Sequence, residues 1–336
     1  MGCVLFATVG EARCGKHAAS CRRSANGNRP RLSDRIARTR TAPGSAVRRE
    51  DIEMDNGTVG VIGAGTMGRG IAQVSAAVGY EVILNDVDKS LVESSLERLQ
   101  RDLAKLVEKG KLDAAERDAQ LGRVRLSTDL GDMAAADIVV EAIYENLDAK
   151  KKVFATLDEV CAEGVILGSN SSSLSILDMA MATKRPESVV GIHFFNPVPL
   201  MKGVELVCTI MTSFQTLEGA REFSASLGKE TWVAKDAPGF LSTRLLIPYL
   251  LDAIRLLENG FATKEDIDTC CKASFNYPMG PITLSDLIGL DVLLNISNGM
   301  YDSFKDPKFA APILLEKKVK AGQLGRKTGK GFYDYE

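Results

Sequence analysis

Long apolar runs are missing from this 336-residue chain: none approaches the roughly 20 residues that a helix needs to cross a bilayer. No membrane partner is therefore expected. The seven cysteines (Cys3, Cys14, Cys21, Cys161, Cys208, Cys270 and Cys271) show no metal-ligand spacing. Their odd number in a chain this long argues against a disulfide framework and for a reducing compartment. Histidine is scarce, with only His17 and His193, so an imidazole can serve chemistry in very few places. Outside the N-terminal segment acids outnumber bases. The net charge is −2, yet residues 1–49 hold eleven Lys or Arg against only Glu11 and Asp34, which makes them +9 and the remainder −11. An acidic body of this kind does not suit a nucleic-acid binder.

The basic segment is rich in Arg, Ser and Ala, the composition of an organelle transit peptide. Mitochondrial import is expected, with a plastid as another destination and the cytosol if Met54, just before the first strand, is the true start. The opening Met-Gly-Cys hints at acylation, but Phe6 stands where a myristoylation signal wants Ser or Thr.

What is present begins with Val59–Ala72, VGVIGAGTMGRGIA, where a short apolar run enters a glycine-rich turn and a helical pattern leaves it. Gly63, Gly65 and Gly68 have the spacing and the strand-turn-helix context of the dinucleotide fingerprint. The expected pyrophosphate cradle is Gly63-Ala64-Gly65-Thr66-Met67-Gly68, with the anion at the helix N-terminus. A second apolar run, Glu81–Asn85, ends at Asp86, near the place where the fingerprint expects an acid. A carboxylate there accepts both ribose hydroxyls and repels a 2′-phosphate, which favours NAD over NADP.

Residues 89–110 and 114–121 read as a helical hairpin inserted in the sheet, basic at Arg101, Lys105, Lys109 and Lys111. Strand patterns resume at Asp137–Ala142 and Val165–Gly168, with a helix at Leu147–Cys161 between them. Glu145 and Lys150 follow one strand end, and Asn170, Ser171, Ser172 and Ser173 the other. Further strands are expected at Val189–Phe195, Gly203–Thr209 and Trp232–Ala234. Beyond residue 237 the pattern is helical. The fold expected is α/β, a Rossmann-like doubly wound sheet with an inserted helical hairpin, followed by an all-α C-terminal domain. The limits are a leader at 1–55, a nucleotide domain at 56–236 and a helical domain at 237–336. In the last, Leu241, Leu245, Leu246, Tyr249, Leu250, Ala253, Ile254 and Leu257 form a helical stripe, and the apolar surplus favours a homodimer.

Oxidation of an alcohol by hydride transfer needs a base for the hydroxyl proton, and a neutral imidazole suits that near pH 7. His193 is the one histidine outside the leader, although a lone histidine in a strand also has structural uses. Glu205 lies between Val204 and Leu206, where an unpaired carboxylate would be costly to bury. If the two strands are neighbours, His193 is its partner and Glu205 orients the ring. Otherwise Glu205 is an exposed acid on a sheet edge.

HFFNP at 193–197 with Glu205, Ser172 in NSSSL, VVEAIYEN at 139–146, PMGP at 278–281 and the closing KTGKGFYDY together resemble the L-3-hydroxyacyl-CoA dehydrogenase family, particularly its short-chain 3-hydroxybutyryl-CoA members. The resemblance runs from about Thr58 to the C-terminus. It implies a dimer that oxidises (S)-3-hydroxyacyl-CoA with NAD, with His193 as base and Glu205 as its partner. It further implies that Ser172 and Asn196 touch substrate and nicotinamide, that Glu145, Lys150 and Lys327 contact the cofactor, and that Lys109 pairs with a CoA phosphate. The sequence departs from the family in one place: PGFLSTR puts Thr243 where PGFxxNR has Asn, a position near the chemistry, with Ser242 as a rival donor. Two alternatives stay open: a sugar-acid dehydrogenase of the L-gulonate type, and a non-catalytic, crystallin-like NAD-binding protein. No metal is expected.

Overall fold

Short apolar runs alternating with amphipathic helices build one eight-stranded sheet. In the computed structural model, which describes residues 57–336, the strands are β1 (Thr58–Ile62), β2 (Glu81–Asn85), β3 (Val124–Ser127), β4 (Ile138–Glu141), β5 (Ile166–Ser169), β6 (Val189–Phe194), β7 (Gly203–Cys208) and β8 (Glu230–Lys235). Their order is β3-β2-β1-β4-β5-β6-β7-β8. The order reverses between β1 and β4, and such a switch point opens a crevice at the carboxyl ends of the strands. Strands β1 to β6 are parallel, whereas β7 runs antiparallel to β6 and β8 parallel to β7. The leader and Met54 lie outside the described residues.

Central strands read as continuous apolar runs because both faces of a parallel sheet are covered. On one face, Val59, Val61 and Ile192 pack with Ile71 of α1 (Thr66–Ala77) and with Leu99 and Leu103 of α2 (Lys89–Glu108). On the other, Val139 and Leu167 pack with Phe154 and Leu157 of α4 (Leu147–Val160). The hairpin stands as expected, α2 followed by α3 (Ala114–Gly122). Asp88 caps α2 by accepting from the Ser90 amide at 2.8 Å, and Asp113 caps α3 through Glu116 at 2.7 Å.

Three elements escaped the sequence pattern: β3, the short α5 (Ile176–Ala180) and α6 (Phe214–Ser226). Strand β3 is an edge strand with only Val124 and Ser127 buried, so its alternation is brief. In α6 the face on the sheet is made largely of small residues, Thr216, Gly219, Ala220 and Ser224, with Phe223 as the one large member. A Cβ on Gly219 would run into Ile166 of β5, so close approach is maintained at the expense of the apolar signal.

The helical domain comprises α7 (Ser242–Glu258), α8 (Lys264–Phe275), α9 (Pro281–Ile288), α10 (Leu290–Phe304) and α11 (Ile313–Lys320). Thr263 caps α8, accepting from the Asp266 amide at 3.1 Å, and Pro312 and Gly322 bracket α11. The stripe on α7 needs correction. Ile247, Leu250, Leu251 and Ile254 face the core, while Leu241 and Leu245 are 39% and 67% exposed. Leucines on both sides of the helix make the core face ambiguous until α8, α9 and α10 are in place. Among the described residues no helix is long and apolar enough to cross a membrane.

Candidate active site

The glycine turn between β1 and α1 lies at the switch point, and each glycine answers a separate demand. Gly63 has φ +100°, and a side chain there would collide with the Ala142 carbonyl. A Cβ on Gly68 would strike the Gly63 carbonyl, whereas one on Gly65 would meet nothing within 4 Å. Gly65 thus leaves open space before the N-terminus of α1, a place for a pyrophosphate. Asp86 lies beside it, one oxygen accepting from the Ala64 amide at 2.8 Å. Gly63, Gly65, Asp86, Ile143 and Tyr144 share the wall of a cleft of about 640 Å³. Thr66 and Met67 open α1 next to this loop. The residues present therefore fit a dinucleotide.

Behind the cleft, a buried polar chain holds the serine loop that follows β5. Glu141, at the end of β4 and without exposure, takes the Lys150 ammonium at 2.6 Å and the Ser169 hydroxyl at 2.7 Å. The same ammonium reaches the Ile143 carbonyl at 3.3 Å and Glu145 at 3.4 Å. Glu145 in turn accepts from the Ser171 hydroxyl at 2.5 Å and the Ser172 and Ser173 amides at 3.1 and 3.3 Å. Burial pushes the Glu145 carboxyl up, but these serines and Lys150 outweigh it and leave it below its ordinary value. Lys150 is only 1% exposed, so its side chain supports the loops and reaches no surface. The cost of an unpaired acid, which flagged Glu205, applies equally to Glu141 in its apolar strand and points to a cationic partner such as Lys150.

His193 and Glu205 face one another across the antiparallel β6–β7 pair, in direct register. Their side chains meet, His193 Nδ1 to Glu205 Oε2 at 3.0 Å. Glu205 is fully buried, so it is not an edge acid. Its other oxygen accepts from the Leu241 and Ser242 amides at 2.8 and 2.9 Å and from Trp232 Nε1 at 3.2 Å, while the Ser242 hydroxyl donates to Oε2 at 2.7 Å. Burial would raise this carboxyl. The hydrogen bonds from His193, the Ser242 hydroxyl and the two amides at the start of α7 overcome that and hold it down at about 2. An ionised carboxylate only accepts, so Nδ1 carries a ring proton and Nε2 is the nitrogen left for a substrate. The ring is held between Phe195 and Phe240, with centroids at 4.6 and 6.0 Å.

Ser172 and Thr243 line one cavity of about 380 Å³ between the serine loop and the helical domain. Their hydroxyls, and the exposed Asn196 amide after β6, have no partner among the described residues. Ser242, considered in the sequence as a rival donor, instead spends its hydroxyl on Glu205. The signal for that role was available, a hydroxyl in the first turn of a helix, but its partner lies 37 residues away. Lys327 pairs with Asp291 at 2.6 Å in the helical domain and does not line the 640 Å³ cleft beside the glycine turn. Lys109 caps the C-terminus of α2, exposed and without an ion-pair partner among the described residues.

A dinucleotide cradle, an imidazole with one bare nitrogen and a fixed carboxylate behind it define a dehydrogenase that interconverts alcohol and ketone. The comparisons narrow the class. Residues 58–237 match the 3-hydroxyacyl-CoA dehydrogenase NAD binding domain and residues 239–335 the C-terminal domain of the same family. A 3-hydroxybutyryl-CoA dehydrogenase of Mycobacterium tuberculosis is 45% identical over 279 residues, 82% of this chain and 98% of that protein. The mitochondrial hydroxyacyl-coenzyme A dehydrogenase of Sus scrofa is 44% identical over 285 residues, 83% of this chain and 91% of that one. The crystal structure of (S)-3-hydroxybutyryl-CoA dehydrogenase from Ralstonia eutropha superposes with a TM-score of 0.81 at 42% identity, covering 83% of this chain and 99% of that one. The chain belongs to the 3-hydroxyacyl-CoA dehydrogenase family.

Proposed function

We propose that this protein oxidises (S)-3-hydroxyacyl-CoA, 3-hydroxybutyryl-CoA included, to 3-oxoacyl-CoA with NAD in fatty acid metabolism. The observation that carries the reading is the His193–Glu205 pair, buried behind and bare in front. NAD, when bound, accepts the hydride from C3 of the substrate. His193 Nε2 takes the proton of the 3-hydroxyl as the hydride leaves, and Glu205 stabilises the imidazolium that forms. Ser172 and Thr243, which line one cavity and whose hydroxyls have no partner among the described residues, donate toward the 3-oxygen and the thioester. Asn196 and Glu145 hold the nicotinamide side, Glu145 through the serine loop, and Lys109 is the cation available to a CoA phosphate.

A homodimer through the helical domain is supported by the exposed Leu245, Phe261, Phe275 and Tyr277 at 67%, 80%, 59% and 47%, an apolar surplus that a second copy would cover. The +9 composition of residues 1–49 supports mitochondrial import. Loss of NADH absorbance with acetoacetyl-CoA tests the activity. Turnover of L-gulonate with NAD and none of acetoacetyl-CoA would replace the reading with a sugar-acid dehydrogenase, and tight NADH binding without turnover of either would leave a non-catalytic protein.

A further inference from the structure

Two glycines stand in the wall of the cavity that Ser172 and Thr243 share, and only one of them is explained by the protein itself. Gly239 has φ +77°, and a side chain there would press on Met300, so both conformation and packing require it. Gly299 is in the interior of α10 with no positive φ, and a Cβ there would meet nothing within 4 Å. Glycine disfavours a helix interior about fivefold relative to alanine. The fold thus carries a helix-weakening residue at a place where it does not need one.

What Gly299 does is leave room. Asn295, Gly299 and Ser303 are spaced four apart on α10, so they form a single ridge, and all three line the cavity. The ridge is lowest at Gly299, between two short polar side chains. Ser172 and Thr243 line the same cavity, and in the reading above their hydroxyls donate toward the 3-oxygen and the thioester. A substrate held there has CoA on one side of its reacting carbon and the acyl tail on the other.

We propose that Gly299 sets the length of acyl chain this enzyme accepts, opening α10 so that tails longer than four carbons pass over it. The proposal rests on the 3-hydroxyacyl-CoA reading above and names the substrate class within it: straight-chain thioesters of medium as well as short length. Each methylene buried against α10 contributes up to about fourfold in kcat/KM. A side chain at 299 takes that space back.

The experiment compares kcat/KM for NADH oxidation with acetoacetyl-, 3-oxohexanoyl- and 3-oxooctanoyl-CoA in the full chain, Gly299→Ala and Gly299→Leu. In the parent, kcat/KM rises with each lengthening of the tail. Gly299→Leu lowers the ratio of the 3-oxooctanoyl to the acetoacetyl value at least about tenfold, the worth of roughly two methylenes. Gly299→Ala lowers it less, by about fourfold, with an unfolding midpoint at or above the parent's, and carries the test if the leucine variant does not fold. A parent whose kcat/KM falls at every lengthening, or folded variants that keep the parent's ratio, would overturn the proposal and leave the dehydrogenase reading standing. A parent that turns over none of the three thioesters overturns both.

Discussion

The sheet domain and the helical domain both bury carboxylates at segment junctions, to different ends. In the helical domain Asp268 and Asp286 are 3% and 1% exposed and, among the described residues, accept hydrogen bonds from neutral donors only. Asp268 accepts from the Ile282 and Thr283 amides at 2.8 and 3.0 Å and from the Tyr333 hydroxyl at 3.1 Å. Asp286 accepts from the Phe332 and Tyr333 amides and the Tyr335 hydroxyl, each at 2.9 Å. These two acids tie the closing KTGKGFYDY segment to α8 and α9. Glu205 does the same for the junction between β7 and α7, taking two amides and a hydroxyl, but it also takes an imidazole. Amides alone make a buried acid a structural tie. An imidazole whose second nitrogen is bare makes the same arrangement a proton acceptor, at little further cost because the charge is already solvated by the fold.

The sharpest test of that contrast removes the imidazole. His193→Gln should lower kcat by about 10²- to 10⁴-fold with NAD binding retained, followed by NADH absorbance and cofactor titration. Because the pair acts as a unit, adding Glu205→Gln should cost little more. Additive losses would mean that Glu205 serves the fold and His193 works without it.

The converse change is Asp286→Ala, which orphans three donors around the closing segment. An unsatisfied buried donor costs about 1–3 kcal/mol, so the denaturant midpoint should fall steeply, while kcat per folded molecule holds. A loss of kcat with stability intact would break the division of labour between the two regions.

Acid should separate them further. The folded state holds the Glu205 carboxyl near 2, against 4.5 for an ordinary one, so the unfolded chain binds that proton first. Its contribution to stability is fully present above about pH 4.5 and is lost as pH falls toward 2. The stability advantage of the parent over Glu205→Gln, measured by denaturant unfolding, should shrink across that window and not above it.

The smallest effects belong to the two residues where α7 begins. Ser242→Ala removes one of several donors to Glu205 and should lower kcat no more than about tenfold, with the acid limb of the rate profile moved to higher pH. Thr243→Asn restores the amide of the family pattern. A direct hydrogen bond in place of one through water is worth about 0.5–1.5 kcal/mol, so kcat/KM should rise by up to about tenfold. Thr243→Val matching the parent would remove Thr243 from the chemistry.

Gly63, Gly65, Gly68 and Asp86 were legible because a cofactor cradle is local: strand, turn and helix are contiguous, Gly63 and Gly68 answer contacts within the same stretch or beside the neighbour strand, and Gly65 leaves the space between them open. His193 and Glu205 were legible for another reason, the scarcity of histidine and the cost of an acid inside an apolar run. Lys150 was harder to place. A lysine nine residues after a buried acid has the same appearance whether it faces a ligand or the acid, and only the path of α4 under β4 turns it inward. The core face of α7 and the helix α6 were obscured by side chains, since leucines surround the first and small residues line the second.

The chain by itself determined the class of fold, the cradle and the identity of the base, since these depend on periodicity, on glycine geometry and on which residue types are present at all. Tertiary structure decided the register that sets His193 opposite Glu205, the turning of Ser242 onto that acid, the burial of Lys150 and the gap at Gly299. Each of these joins different secondary-structure elements, and how they meet is set by the packing of the sheet against its helices and of α7 against α10, which no local pattern encodes.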